Sequence, residues 1–188
     1  MLRALLGIVV LFFPIAEITL AILKRADSRA SRREDRGSML LLWFAIAVGV
    51  GAAIAFQWVP AARFGFPATP VRLVALCLLV GGLAVRWTAI VTLGRFFTVD
   101  VAIHDGHTVV DRGLYRNVRH PAYTGMLVAF LGLGVFFANW LSLVALMLPI
   151  TLAGVNRVAK EERALTEALG RAYADYCGRT WRFIPWLV

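Results

Sequence analysis

Long apolar runs alternate with short polar segments along most of this chain. A helix that crosses a bilayer needs about 20 mainly apolar residues, and five runs approach that length: residues 2–23, 39–58, 71–93, 122–137 and 141–157. Only three residues separate the last two runs, so we expect them to form an antiparallel helical hairpin. The pattern predicts an all-α polytopic membrane protein with about five transmembrane helices.

The basic residues fall in some of the polar segments and not in others. Lys and Arg are concentrated in residues 24–38, 95–120 and 158–188, whereas the connection 59–70 contains only Arg63. Cytoplasmic loops of membrane proteins are rich in Lys and Arg, so the N-terminus is predicted to lie outside and the C-terminus in the cytoplasm. We expect one domain, residues 1–188, whose cytoplasmic segments carry a cofactor-binding region and a C-terminal helix, with a helix break at Gly170.

Composition agrees with a membrane protein and narrows the choice of partners. The chain is 60% hydrophobic and only 16% charged, whereas soluble proteins average about 25% charged residues. The net charge of +9 is carried by loops without interleaved aromatic residues, which favours anionic lipid headgroups over nucleic acid. Cys77 and Cys177 are isolated from each other, so neither a disulfide framework nor a metal site is predicted.

The densest cluster of reactive side chains lies just before the fourth apolar run, in residues 113–125, Gly-Leu-Tyr-Arg-Asn-Val-Arg-His-Pro-Ala-Tyr-Thr-Gly. Pro121 suits the first turn of a helix, where its missing N–H is no loss. The start of that helix, with Arg119 and His120 beside it, is a natural place to hold a carboxylate or a phosphate. The alternative is an interfacial anchor that only holds lipid headgroups.

A second charged cluster follows the fifth apolar run. Arg157 and Glu161 are four residues apart and share one helical face. The simplest interpretation is an interfacial ion pair, which contributes only about a few tenths of a kcal/mol. Because the hairpin connection is so short, however, we expect His120 and Tyr123 to face Arg157 and Glu161 across a small gap.

Taken in order, these motifs resemble a known family. Arg-His-Pro-x-Tyr-x-Gly at 119–125, a hydrophobic hairpin, Glu161-Glu162, Gly-x-x-Tyr-x-x-Tyr at 170–176 and Ile184-Pro185 resemble the isoprenylcysteine carboxyl methyltransferase family over about half of the chain. The resemblance implies an integral membrane methyltransferase that uses S-adenosyl-L-methionine and a lipophilic acceptor, either a small isoprenylcysteine-like molecule or a lipidated one. The short chain resembles prokaryotic members, which implies a location in the inner membrane.

The resemblance also implies roles for particular residues. Arg157, which would orient an acceptor carboxylate, and Glu161 are the expected catalytic residues. His107, Val109 and Val110 would hold the adenosine, His120 and Tyr123 the methionine portion, and Glu161 with Glu162 the ammonium or the hydroxyls. The full expected cofactor-binding set is His107, Val109, Val110, Tyr115, Arg119, His120, Tyr123, Gly125, Glu161 and Glu162.

Several alternatives remain open at the level of sequence. A phospholipid-type N-methyltransferase would use the same cofactor on an amine, a sterol-type membrane reductase would use NADPH, and a scaffold or transport component would bind neither cofactor. The acceptor and the oligomeric state are undetermined. Glu17 and Arg86 lie within apolar runs, where charges are costly; we expect them to pair with each other, with lining of the substrate path as the alternative.

Overall fold

The computed structural model describes residues 37–97 and 108–185, the backbone of two short strands at 31–35 and 101–104, and the single positions Gly7 and Thr19. Residues 37–185 include five α-helices: α1 (Gly37–Phe56), α2 (Ala68–Leu93), α3 (Pro121–Phe136), α4 (Trp140–Leu169) and α5 (Arg171–Gly178). Short 3₁₀ turns lie at Pro60–Ala62, Gly94–Phe96 and Gly113–Arg116.

The helices confirm the all-α prediction for an integral membrane protein. By length and composition, α1, α2 and α4 are sufficient to cross a bilayer, and α3 is a shorter apolar helix. The first predicted span, residues 2–23, lies almost wholly outside the described residues. With 30 residues, α4 is about 45 Å long, which exceeds the roughly 30 Å hydrocarbon core of a bilayer. Its polar part, from about Lys160 onward, therefore projects beyond the membrane.

Antiparallel packing brings the functional segments to one end of the bundle. Helix α1 packs against α4, and α2 packs against α3. At one end of the first pair, the Ser142 hydroxyl donates to the Ala53 carbonyl over 2.8 Å; at the other end, Arg157 meets Ser38. The starts of α1 and α3, the end of α2 and the polar part of α4 therefore share an end, which we call the polar end.

The opposite end is closed by the connections α1–α2 and α3–α4. The Phe64 N–H donates to the Ala138 carbonyl over 2.8 Å, and the Asn139 side-chain amide donates to the Val59 carbonyl over 3.0 Å. Asn139 also caps α4 by accepting from the Ser142 N–H, as small polar residues do at helix starts. This tight turn forms the predicted hairpin, which places the start of α3 beside the polar part of α4.

Small residues let α2 and α3 approach until their backbones touch. A Cβ atom on Gly82 would lie 2.4 Å from the Ala129 amide nitrogen, and one on Gly125 would lie 2.5 Å from that of Arg86. Gly132 is equally close to Leu79 in α2, whereas Gly134 abuts the Leu143 side chain within the hairpin. Close packing through small residues is a common way for membrane helices to associate, and here it fixes the position of α3.

Two short strands, which the sequence did not predict, join the polar segments. β1 (Ser31–Asp35) pairs in antiparallel register with β2 (Val101–His104), with Ser31 opposite His104. The sequence of β1, Ser-Arg-Arg-Glu-Asp, lacks the alternation of apolar and polar residues by which strands are recognised. Each segment forms a strand because the fold places the two side by side, where their backbones can hydrogen-bond to each other.

Candidate active site

The start of α3 is held in place by the C-terminal tail. His120 precedes the helix as its N-cap residue and Pro121 is its first residue. The backbone N–H groups of Arg119 and His120 donate to the carbonyls of Trp181 and Arg182 over 2.7 and 3.1 Å, and the Trp181 N–H donates back to the Asn117 carbonyl. The Arg-His-Pro turn and the tail therefore form one unit at the polar end.

A first network runs from Glu161 to the start of α1. The Tyr123 hydroxyl donates to Glu161 Oε2 over 2.9 Å and accepts from Arg157 Nε over 3.0 Å. Arg157 Nη1 in turn donates to the Ser38 hydroxyl over 3.0 Å. Arg157 and Ser38 are almost fully buried, at 3% and 1% exposure, so the guanidinium is held at a defined angle in a nearly dry environment.

A second network surrounds Glu162. His120 Nε2 lies 3.2 Å from Glu162 Oε1, Arg182 binds both carboxylate oxygens, and Arg119 Nε lies 3.8 Å from Oε1. Burial alone would raise the pKa of this carboxyl, but the hydrogen bonds from His120 and Arg182 lower its pKa to about 2. Glu162, which lies in the projecting part of α4, is therefore ionised at neutral pH.

All four tyrosines of the chain gather at this site. Besides Tyr123, Tyr176 donates its hydroxyl to the Tyr115 carbonyl over 2.7 Å, and the rings of Tyr173 and Tyr176 lie 6.0 Å apart. Tyr115, Tyr173 and Tyr176 are buried, at 3–6% exposure. Burial, and then the charge of Glu161, raises the pKa of Tyr115, which remains a neutral phenol. The result is an aromatic cluster beside two acidic side chains.

The structure brings most of the expected site residues together, with one change of partner. Tyr123 faces Arg157 and Glu161 as expected, but His120 contacts Glu162 instead of that pair. The anion that Arg119 and His120 hold at the start of α3 is thus a side chain of the protein itself, because the hairpin places the next residue of α4 opposite them.

Other expected residues lie elsewhere. Gly125 is buried against the backbone of α2, where it serves helix packing. Val109 and Val110 are half-buried in an irregular segment that precedes the turn before α3, and His107 lies outside the described residues.

The predicted partner of Arg86, Glu17, also lies outside the described residues. Arg86 itself donates through Nη1 to the Ala122 carbonyl over 3.1 Å, in the first turn of α3. The contact ties the end of α2 to the start of α3.

Sequence reasoning missed three residues of the site: Ser38, Tyr173 and Arg182. Ser38 lies in the first turn of α1 and belongs to no motif, so nothing in the chain links it to Arg157. Tyr173 belongs to the Gly-x-x-Tyr-x-x-Tyr motif and Arg182 adjoins the Ile-Pro motif; their membership in those motifs was the available signal. Among the described residues, no group of three or more His, Cys, Asp or Glu side chains is arranged to hold a metal ion.

Removing the charge of Glu162 is expected to weaken the attachment of the C-terminal tail, which carries Arg182, to α4. Glu162→Gln should lower the free energy of unfolding by about 2 kcal/mol, because Arg182 and His120 lose the anion between them. Since folding lowers the pKa of Glu162, its contribution is complete above about pH 4.5 and is lost as the pH falls toward about 2. Denaturant unfolding in detergent measures the effect, with exposed Asp175→Asn as the control; equal stability of the two variants would contradict it.

Comparison with known proteins places this site in a family. The family model described as the isoprenylcysteine carboxyl methyltransferase family matches residues 73–167. A probable protein-S-isoprenylcysteine O-methyltransferase of Oryza sativa subsp. indica is 35% identical over 119 residues, 62% of each chain. Protein-S-isoprenylcysteine O-methyltransferase B of Arabidopsis thaliana is 32% identical over 114 residues, 60% of this chain and 58% of the relative.

The chain is also similar to a solved structure, although it spans only part of that structure and of the curated relatives. The structure of a eukaryotic intramembrane Ras methyltransferase matches with a TM-score of 0.61 and 23% identity, covering 81% of this chain and 54% of that one. The match thus spans about three fifths of the length of the curated relatives. Residues 73–167, which the family model matches, include α3, α4 as far as Glu167 and most of both networks. The chain belongs to the isoprenylcysteine carboxyl methyltransferase family.

Proposed function

We propose that this chain is a membrane-embedded methyltransferase that transfers a methyl group from S-adenosyl-L-methionine to the carboxylate of a lipophilic, isoprenylcysteine-like acceptor. One observation carries the proposal: the network of Glu161, which includes the buried Arg157, lies beside the network of Glu162 and the tyrosine cluster at the polar end. Family membership and the names of the relatives support the reaction class.

The residues present suit this methyl donor. Its ammonium and hydroxyl groups call for carboxylates, which Glu161 and Glu162 supply, and its own carboxylate calls for the basic side chains around Glu162. Cations are also attracted to aromatic faces, and the tyrosine cluster lies next to Glu161. When bound, the sulfonium supplies a methyl group: its S–CH₃ bond breaks as an O–CH₃ bond forms, leaving a neutral thioether and a neutral ester.

The chain's own contribution is mainly positioning. A carboxylate acceptor is already an adequate nucleophile, so the rate depends on the distance and angle between the two reactants. Ser38 and Tyr123 hold the Arg157 guanidinium in one orientation, and Tyr123 fixes the neighbouring Glu161 carboxylate. Because these groups are half-buried or buried, charges that meet there interact more strongly than in water.

The position of the site at the bundle end suits an acceptor that is dissolved in the membrane. The polar part of α4 and the start of α3 lie where apolar helices give way to charged segments, so a lipid chain lies among the helices while its polar group reaches the networks. The concentration of Lys and Arg in these segments supports a cytoplasmic location for the site.

The test combines binding and transfer on the purified protein in detergent. We expect saturable binding of S-adenosylhomocysteine but not of NADPH, and transfer of labelled methyl to an S-prenylated N-acetylcysteine as a base-labile ester. The carboxamide of the same molecule is the matched control and should remain unlabelled. Labelling of an amine phospholipid alone would indicate an N-methyltransferase, and binding of NADPH alone would indicate a reductase; either result overturns the proposal.

A further inference from the structure

The C-terminal tail, residues 179–185, is fixed by its backbone to the start of α3. The Arg119 N–H donates to the Trp181 carbonyl over 2.7 Å. Farther along the tail, the Thr124 hydroxyl donates to the Phe183 carbonyl over 2.8 Å. The tail therefore follows the chain from the turn before α3 into the first turn of that helix.

The position of α3 places this part of the tail at the surface of the bilayer. Helix α3 is an apolar helix of 16 residues that begins at Pro121, so the apolar part of the chain ends there. The backbone of Trp181 bonds to Asn117 and Arg119, which lie just before Pro121. Tryptophan is enriched where membrane helices meet water. The tail therefore runs along the membrane–water interface.

The tail directs large apolar side chains outward. Trp181 is 39% exposed and Ile184 is 48% exposed, although the backbone of Trp181 is bonded to the turn. Apolar side chains gain free energy when they leave water, and an indole ring suits a place where one end is apolar and the other wet. Both side chains suit the region between lipid headgroups and acyl chains.

The surroundings of these apolar side chains are strongly basic. Residues 111–120 and 179–185 contain five arginines and one acidic residue, Asp111. Even with the Glu162 carboxylate of α4 included, the arginines of this group exceed the carboxylates by three. Arg116 is exposed on the turn itself. A guanidinium binds phosphate oxygens through two parallel hydrogen bonds, so this charge complements anionic headgroups.

We propose that the tail binds the surface of an anionic bilayer, with Trp181 and Ile184 inserted at the interface and Arg116 bound to lipid phosphate. The lipid-exposed surface of the membrane helices continues directly into this patch. Because Trp181 is bonded to the turn that contains Arg119 and His120, lipid composition controls how firmly that turn is held. This lipid contact lies outside the two networks and does not depend on the reaction that they perform.

Hydrogen exchange of the full chain in single-copy nanodiscs tests the contribution of charge. One disc contains phosphatidylcholine alone, and the other contains phosphatidylcholine and phosphatidylglycerol in equal parts. We expect the N–H groups of Arg119, His120 and Trp181 to exchange at least about fivefold more slowly in the anionic disc, the effect of one arginine near an anionic surface. Arg116→Gln should reduce this ratio about fivefold. Salt at about 1 M should remove it, because charges then act over only about 3 Å.

Arg171 provides the matched control for Arg116. It is an exposed arginine at the start of α5, and α4 extends about 14 Å from Lys160 to its end at Leu169. This length exceeds the range of about 8 Å over which exposed charges act in physiological salt. Arg171→Gln removes the same charge and should leave the ratio of exchange rates unchanged.

Fluorescence quenching tests the apolar part of the contact. The difference in emission between wild type and Trp181→Phe isolates Trp181 among the six tryptophans of the chain. A lipid that carries a spin label close to its headgroup should quench this emission more strongly than one labelled at the end of its acyl chain. Phenylalanine keeps a ring at this position, so the backbone contacts of the tail are retained in the variant.

Several results would overturn the proposal. Emission of Trp181 that neither lipid quenches would mean that the ring lies in water, and stronger quenching by the deep label would mean that it is not at the interface. Equal exchange in the two discs would exclude anionic headgroups as the partner. An effect of Arg171→Gln as large as that of Arg116→Gln would indicate net charge instead of binding at this surface. Slow exchange found only in discs that hold two copies would identify a protein partner.

Discussion

Replacing Glu161 with glutamine is expected to lower the rate of methyl transfer by about 100-fold, the cost of misplacing reacting groups by about 1 Å. Glu161 accepts the hydrogen bond of Tyr123, which in turn receives Arg157 Nε. A glutamine amide can turn its NH₂ group toward the phenol, which reverses the direction of that bond. Tyr123 and Arg157 would then lose their common orientation. Initial rates with labelled S-adenosylmethionine measure the effect.

The matched control lies on the same helix. Glu167 is an exposed glutamate of α4, so Glu167→Gln makes the same chemical change away from the networks and should retain wild-type rates. Unfolding curves of both variants separate a local change from a loss of fold. Wild-type rates in Glu161→Gln would show that the first network has no part in the reaction.

Gly82→Ala is expected to destabilise the protein by about 3 kcal/mol, the upper part of the range for overpacked cores. The new methyl group would lie 2.4 Å from the Ala129 nitrogen and 2.7 Å from the Gly125 oxygen. These are backbone atoms, which cannot turn aside as a flexible side chain can. Helix α3 must therefore move away from α2, and the start of α3 carries His120 and Tyr123. The midpoint temperature of unfolding in detergent and the rate of methyl transfer should both decrease.

The neighbouring glycine provides the control for this prediction. A Cβ atom on Gly81 would meet nothing within 4 Å, so Gly81→Ala on the same helix should preserve both stability and activity. A Gly82→Ala protein as stable as Gly81→Ala would mean that the two helices are not in backbone contact.

The sequence alone determined the four apolar helices that lie within the described residues, the hairpin and the residue types of the site. Apolar runs of sufficient length specify membrane helices because backbone hydrogen bonds must be satisfied within the helix in lipid, and that requirement is local. The three-residue connection at Ala138 determined that α3 and α4 are antiparallel. The motif at 119–125 and the Glu161-Glu162 pair therefore had to meet at one end.

Only the tertiary structure decided which side chains bind each other. Ser38 and Arg157 are 119 positions apart, and no local rule connects residues at that distance. His120 pairs with Glu162 because of the rotation of α4 about its axis, and Gly125 packs on α2 because of the spacing of the two helices. Local patterns specify elements, but partners depend on how the elements are rotated and spaced in the packed bundle.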